Sequence, residues 1–427
     1  MRDLYPLRGI PGQKKIWSWI SFDVANQSFT LIINTLLFSK FFMEVVLEPG
    51  ASHPNTKWSL VFTISMLLTV VASPLAGAVA DDRAWKKLAL LITGFGCALL
   101  TCALGFIGPG DLWLAVLIYI PANFFFNLGE NFLASFLPEL GKREDFGRLS
   151  GFSWGVAYTA ALLLLVITVI AMKAFHLEPV EKWRPLFIFA GLWFLLFAIP
   201  TMIFLKERPA PAHAPSNVFT VGFVRLAATL REIRNHRDIA ILLIASFFYG
   251  IAMQVVIAFA SKIATDYGFS STGMVLFVAV ITVSGIIGTL VPTLWQDKVG
   301  HRNTTVFLLL VWIMVCLFFA YYTYARNHAP DPAAYPTWPL WLLGNMIGFG
   351  LGSLGAANRA FVGFLTPPDR TAEFFGLWGL VFKLAAVGTI PFAAARDRLG
   401  DPASFLLLAG FLVIGLTLTF AVREKPN

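Results

Sequence analysis

Four ionisable residues fall inside stretches of sequence that are otherwise apolar: Asp23, Glu130, Arg359 and Lys383. A charge at the centre of a hydrocarbon layer costs at least a few kcal/mol, so each of them needs a partner or a task. Two carboxylates and two cations suit proton exchange, ion-pair gating or the attraction of a charged solute. After Asp23, residues Asn26, Gln27, Thr30 and Asn34 follow on nearly one helical face, and Asn123, Asn127, Glu130 and Asn131 make a second stripe. Such stripes suit the wall of a water-filled cavity. We therefore expect Asn26, Gln27, Thr30, Asn34, Asn123, Asn127 and Lys383 to bind substrate, and Asp23 and Glu130 to carry a coupling proton. Arg359 is expected to gate by pairing with Glu130 or Asp23. Each has a plainer alternative: Asp23 bonding a neighbouring helix, Arg359 fixed to an acid of its own half, Lys383 paired with Asp23 or Glu130 and silent towards substrate.

Other chemistries lack their parts. No Ser-His-Asp, paired-histidine or phosphate-loop arrangement occurs, and the six histidines fall in connecting segments. The three cysteines sit in apolar runs without metal-ligand spacing. Gly350, Gly352 and Gly355 fit G-x-G-x-x-G, yet they lie inside an apolar segment with no preceding strand; Gly344, Gly348 and Gly352, at four-residue spacing, suit close helix packing or a flexible segment. No enzyme, metal or cofactor is expected.

The elements that must hold these residues are membrane spans. Hydrophobic residues make up 57% of the 427 and charged residues 13%, too few charges to cover a water-soluble surface of this size. Mean hydropathy is +0.73. Segments near 16–43, 58–80, 87–108, 112–138, 149–172, 185–205, 239–263, 272–295, 303–325, 338–364, 372–396 and 403–422 each meet the roughly 20 residues that a span requires. The first is too long for a signal peptide and should stay as a span. Most of the 32 Lys and Arg residues fall in alternate connections, which places both termini in the cytoplasm. The net charge of +8 is thus a topology signal and not a nucleic-acid footprint. Membrane lipids are the expected surroundings and a monomer the expected state.

Between the sixth and seventh spans lies a long polar connection, opened by Pro209, Pro211 and Pro215. Phe219, Phe223, Leu226, Leu230 and Ile233 then recur at helical spacing with Arg225, Arg231 and Arg234 off the stripe, which predicts an amphipathic surface helix. The expected organisation is a six-helix bundle over 1–205, a linker over 206–237 and a second six-helix bundle over 238–427. The halves repeat one another. Ser39-Lys40 with Glu44 matches Ser261-Lys262 with Asp266; Asp82-Arg83 with Lys86-Lys87 matches Asp297-Lys298 with His301-Arg302. Phe136-Leu137-Pro138 with Phe146-Gly147 matches Phe364-Leu365 and Pro367 with Phe375-Gly376. Parallel repeats of six spans are the sequence sign of a transporter that rocks around a central site.

Gly77 through Asp81-Asp82-Arg83 to Lys86-Lys87 resembles the cytoplasmic signature of the major facilitator superfamily. Gly77 points to Asp81, and the basic pair to Asp82, as the aspartate of its inter-helix ion pair. The resemblance implies gating roles for Asp81, Asp82 and Arg83, and the repeat extends that role to Asp297. Trp19-Ile20-Ser21-Phe22-Asp23 through Phe29, Leu137-Pro138 through Arg148-Leu149-Ser150-Gly151, and Asn358-Arg359 through Glu373-Phe374-Phe375-Gly376 to Lys383 resemble one branch of that superfamily. It is the branch that includes the fungal autophagy-related vacuolar amino-acid effluxers; Phe22 stands where that branch usually has tyrosine. The resemblance implies an all-α fold of twelve spans in two pseudo-symmetric bundles. It implies a secondary active transporter of a small amino-acid-like solute. Together with Lys383, this favours a zwitterionic or anionic substrate moved by alternating access with a proton, in a bacterial cytoplasmic membrane. A lipid or amphipathic-solute flippase and a non-transporting membrane sensor are the alternatives.

Overall fold

The computed structural model describes residues 7–424 except 84, 143–144, 208–230, 232, 333 and 367–370. Most of the expected surface helix lies outside these residues, and so do the side chains of Asp81, Asp82, Arg83 and Asp297. Among the described residues 12 helices are long and apolar enough to cross a membrane. They are α1 (Gln13–Val46), α2 (Pro54–Arg83), α3 (Lys86–Leu104), α4 (Leu112–Leu140), α5 (Phe146–Ala174) and α6 (Arg184–Phe204). Then follow α7 (Arg237–Asp266), α8 (Ser271–Leu290), α9 (His301–Asn327), α10 (Trp338–Leu365), α11 (Phe374–Leu399) and α12 (Asp401–Phe420).

The chain forms two compact units, one of residues 1–49 and 64–226 and the other of residues 50–63 and 227–427. In the first, α1 packs on α5 and α6, and α3 on α4 and α6. The α1 helix is unusual: Ser28–Leu37 and Phe42–Val46 wind as π-helix. The Thr35 hydroxyl donates to the Thr30 carbonyl at 2.9 Å, five residues back, a spacing that fits the wider coil. Such widening is rare and concentrates at functional sites. Serine and asparagine join α2 to α4 at two levels: Asn123 Nδ2 donates to Ser65 Oγ at 2.6 Å and Asn131 Nδ2 to Ser73 Oγ at 2.7 Å. Both pairs have the same sequence separation, as two helices running in the same direction require.

In the second unit α8 packs on α10, α9 on α10 and α12, and α7 on α11 and α12. The α8–α10 contact, equivalent by the repeat to α2–α4, is made by backbone instead of polar rungs. A Cβ on Gly352 would stand 2.0 Å from the Gly285 carbonyl oxygen, and one on Gly348 would stand 2.4 Å from that of Ile281. The α11 helix tightens to a 3₁₀ turn at Ala385–Gly388, directly after Lys383. Pro391 has no N–H to offer Val387, which is a local reason for the irregularity. Side chains brace the turn: Gln254 Nε2 donates to the Phe382 carbonyl at 2.9 Å, and Thr389 Oγ1 to that of Ala386 at 2.7 Å.

Each unit also closes one helix start with a remote glutamate. Glu207 accepts from the N–H groups of Lys86 and Lys87 at 2.9 and 3.0 Å, at the start of α3. Glu424 accepts from those of His301 and Arg302 at 2.6 and 3.0 Å, at the start of α9. A carboxylate there satisfies orphan donors and faces the positive end of the helix dipole.

Candidate functional site

The two polar stripes meet inside the first unit. Asn26 donates through Nδ2 to the carboxylate of Glu130. Deeper in the same seam, Asn34 Nδ2 donates to Asn123 Oδ1 at 3.0 Å, and the Tyr119 hydroxyl donates to Asn34 Oδ1 at 2.8 Å. Asn127 Nδ2 reaches both the carbonyl and Oδ1 of Asn123, at 2.8 and 3.1 Å. With Ser65 on α2, this ties three spans at one point. Asn123 is 0% exposed and Asn34 3%, so these amides are consumed by one another, whereas Glu130 at the end of the seam is exposed. Thr30 turns its hydroxyl back to the Asn26 carbonyl at 3.1 Å, and Gln27 is half-buried.

Asp23 lies on α1 one turn before Asn26 and accepts from the Ser153 hydroxyl of α5. Its surroundings are held by α4 and α6: Trp19 Nε1 donates to the Leu133 carbonyl at 2.8 Å, Ser21 Oγ to that of Phe197 at 2.6 Å, and Trp193 Nε1 to that of Val24 at 3.1 Å. Phe22 is buried edge-on against Phe194, its ring filling the space left by Gly94. Among the described residues no cation pairs with Asp23.

In the second unit Asn358, the repeat partner of Glu130, accepts from Ser246 Oγ at 3.3 Å, so α7 and α10 carry a weaker counterpart of the α1–α4 seam. Arg359 beside it is exposed, and no ion pair with another described residue includes it. Lys383 is half-buried at the edge of the 3₁₀ turn.

Sequence reasoning missed one cluster. Arg396 is 8% exposed and donates from Nε to Asp401 at 2.5 Å, from Nη2 to Asp266 at 2.7 Å and from Nη1 to Asn55 Oδ1 at 3.0 Å. Asp266 also bonds Lys262 at 2.5 Å, so this pair belongs to a larger network and is not a simple solvated pair. Lys40 and Glu44, its counterpart in the first unit, stand 3.7 Å apart. The Tyr267 hydroxyl donates to Asp401, and burial beside that carboxylate holds its own ionisation well above the usual tyrosine range. The missed signal was the run Arg396-Asp397 near the end of a span, facing Asp401 a few residues on.

The profile of the family described as "Vacuole effluxer Atg22 like" matches residues 55–146 and 143–426. The chain belongs to this family. Atg22-like relatives include the MFS-type transporter YxiO of Bacillus subtilis, 24% identical over 421 residues, which cover 96% of this chain and 95% of that protein. Autophagy-related protein 22-1 of Penicillium rubens is 24% identical over 64% of this chain and 49% of its own length. The aligned stretch thus spans about half of that fungal relative. Among solved structures, the nucleoside transporter NupG superposes with a TM-score of 0.69 at 15% identity, covering 97% of this chain and 98% of that one. A D-xylose-proton symporter gives 0.64 at 15% identity, covering 97% and 98%. These likenesses show the major facilitator fold. The Atg22-like chain is therefore a multi-pass integral membrane transporter of the major facilitator type, in a family of transporters and not of enzymes.

Proposed function

We propose that this transporter moves a small zwitterionic or anionic solute, amino-acid-like in character, by proton-coupled alternating access. The observation that carries the reading is Asp23: a carboxylate inside α1, bonded by one neutral hydroxyl, with no cation paired to it among the described residues. A cation would fix the charge. A hydroxyl can accept from a protonated acid as readily as it donates to the ionised one, so the proton is free to leave and return. Glu130, bonded by the neutral amide of Asn26, is the second proton carrier. Asn26, Gln27 and Thr30 contact the solute, while Asn34, Asn123 and Asn127 hold the wall behind them. Lys383 attracts the solute's carboxylate, Arg359 gates by pairing with Glu130 or Asp23, and Asp81, Asp82, Arg83 and Asp297 are further gating residues. The description of the family as vacuole effluxers supports a solute-export role. The distribution of basic residues supports cytoplasmic termini in a bacterial cytoplasmic membrane.

One observation favours a second reading, an amphipathic solute entering sideways. An apolar groove of about 730 Å³ runs along α5 past Gly151, Gly155 and Thr159 to Trp193 and Phe197. Purified protein in liposomes, with a pH-sensitive dye inside, is challenged with pools of amino acids, peptides, organic anions and lysolipids. Proton flux triggered by the amino-acid pool is expected, and a response to lysolipid alone would favour the sideways route. In D23N and E130Q, proton-driven accumulation is expected to disappear while exchange partly survives; accumulation equal to the parent's would overturn the coupling.

A further inference from the structure

The groove along α5 has room that the chain itself does not fill. Gly151 and Gly155 stand one turn apart on its bank, and a Cβ on either would meet no described atom within 4 Å. Glycine weakens a helix, and at Gly348 and Gly352 a close backbone approach accounts for it. At Gly151 and Gly155 no described neighbour approaches, so the missing side chains serve only to leave space. Trp193 and Phe197 of α6 form the opposite bank and Val24 of α1 the floor.

The walls present carbon to that space. Thr159 turns its hydroxyl back onto the Gly155 carbonyl at 2.8 Å, the Trp193 indole N–H is committed to the Val24 carbonyl at 3.1 Å, and the Phe197 carbonyl takes the Ser21 hydroxyl at 2.6 Å. With these polar groups satisfied inside the protein, hydrocarbon suits the groove better than a polar solute does. One end differs. Trp17, 43% exposed, sets its ring edge-on to Phe152 at 5.5 Å at the end nearest the start of α1. Lys14 is exposed, and residues 14, 17, 21 and 24 share one face of α1, the face that carries Val24. Gln13 Nε2 donates to the Leu7 and Ile10 carbonyls at 2.8 and 2.7 Å, which folds the preceding loop against the helix start and brings the exposed Arg8 there as a second cation. Glu139 on α4 is already held by Lys15 and Lys86, at 3.5 and 3.8 Å. Tryptophan and cations at one helix end are what the headgroup level of a bilayer selects. The length agrees: from Gly151 to Leu163 α5 rises about 18 Å, and half of the hydrocarbon core is about 15 Å. The groove thus has the depth of one acyl chain in one leaflet.

We propose that this groove is a binding site for an anionic phospholipid, with one acyl chain along Gly151, Gly155 and Thr159 and the phosphate at Lys14 and Arg8. The lipid is a resident and not a cargo, so the site goes beyond the transport reading and does not rest on it. The test uses the full chain in phosphatidylcholine vesicles that contain a small share of either phosphatidylglycerol or phosphatidylcholine carrying a diazirine midway along one chain. After illumination the labelled peptides are mapped. The stretch 151–163 is expected to be labelled more strongly than exposed Phe307, Met314 and Phe318 of α9, which report lipid that merely surrounds the protein. The phosphatidylglycerol probe is expected to exceed the phosphatidylcholine probe in the groove, and K14Q to lower that ratio about fivefold without changing α9, the worth of one cation at an anionic surface. G155L, whose side chain enters the open space, is expected to abolish labelling of the groove at a retained melting temperature. Should G155L fail to fold, K14Q, an exposed change, still decides the headgroup contact. Labelling no stronger than on α9, equal labelling by the two probes, or unchanged labelling in folded G155L would overturn the site. Labelling by a lysolipid probe and not by the two-chain probes would overturn it in favour of a single-chain solute that enters sideways.

Discussion

Asn123 holds three helices at one point: it accepts from Asn34 on α1, donates to Ser65 on α2, and receives Asn127 of its own helix. Inter-helix hydrogen bonds in membranes average about 0.6 kcal/mol and reach about 1.7 kcal/mol. Leaving a buried partner unsatisfied costs a further ~1–3 kcal/mol. N123A strands the Asn34 amide and removes the rung to Ser65, while the Asn127 amide keeps the backbone carbonyl of residue 123, so it should destabilise by about 2 kcal/mol, read as a lower melting temperature in detergent. S65A removes one rung and should cost less than half as much. Equal losses would mean that Asn123 is not the hub. The residues of this hub were legible in the sequence because asparagines at helical spacing stand out against apolar runs. Which amide meets which was not legible, since the vertical offset of α1 on α4 depends on a π-helical stretch whose residues read as an ordinary helix.

At the scale of elements, the repeat gives equivalent helix pairs and the side chains decide how closely each approaches. In α2–α4 two Ser–Asn rungs join the helices, whereas in α8–α10 glycines bring one backbone onto the other. The spacing of Gly344, Gly348 and Gly352 signalled a close approach, but the partner glycines of α8, Gly285 and Gly288, carried no comparable pattern. A methyl group on Gly352 meets backbone at 2.0 Å, which cannot swing aside as a side chain can. G352A should therefore cost at least the ~1–3 kcal/mol of an overpacked core, seen as a sharply reduced melting temperature and yield. A methyl group on Gly410 of α12 would have no neighbour within 4 Å, and G410A should raise stability by up to about 1 kcal/mol through helix propensity alone. Opposite signs at two helical glycines would separate close packing from propensity; losses of the same size at both would refute the distinction.

For the whole molecule, the repeat reaches further than the paired motifs in the sequence. Lys86-Lys87 and His301-Arg302 were recognisable as equivalents, yet the glutamates that close their helices arrive 121 and 123 residues later, at the ends of their own halves. Written side by side, Lys206-Glu207-Arg208-Pro209 and Arg423-Glu424-Lys425-Pro426 are the same motif, and its meaning appears only when each half is folded back on itself. Each glutamate presents both oxygens to two adjacent N–H groups, a task that glutamine cannot repeat with a single acceptor oxygen. E207Q and E424Q should each cost on the order of 1 kcal/mol, as other lost helix caps do. The two caps share no partner residue and lie in different compact units, so the double variant should lose the sum of the single losses within about 0.5 kcal/mol. Thermal or denaturant unfolding of the three variants in detergent measures this. A double loss well below the sum would mean that the two starts fail together, and that the halves do not carry their stability separately.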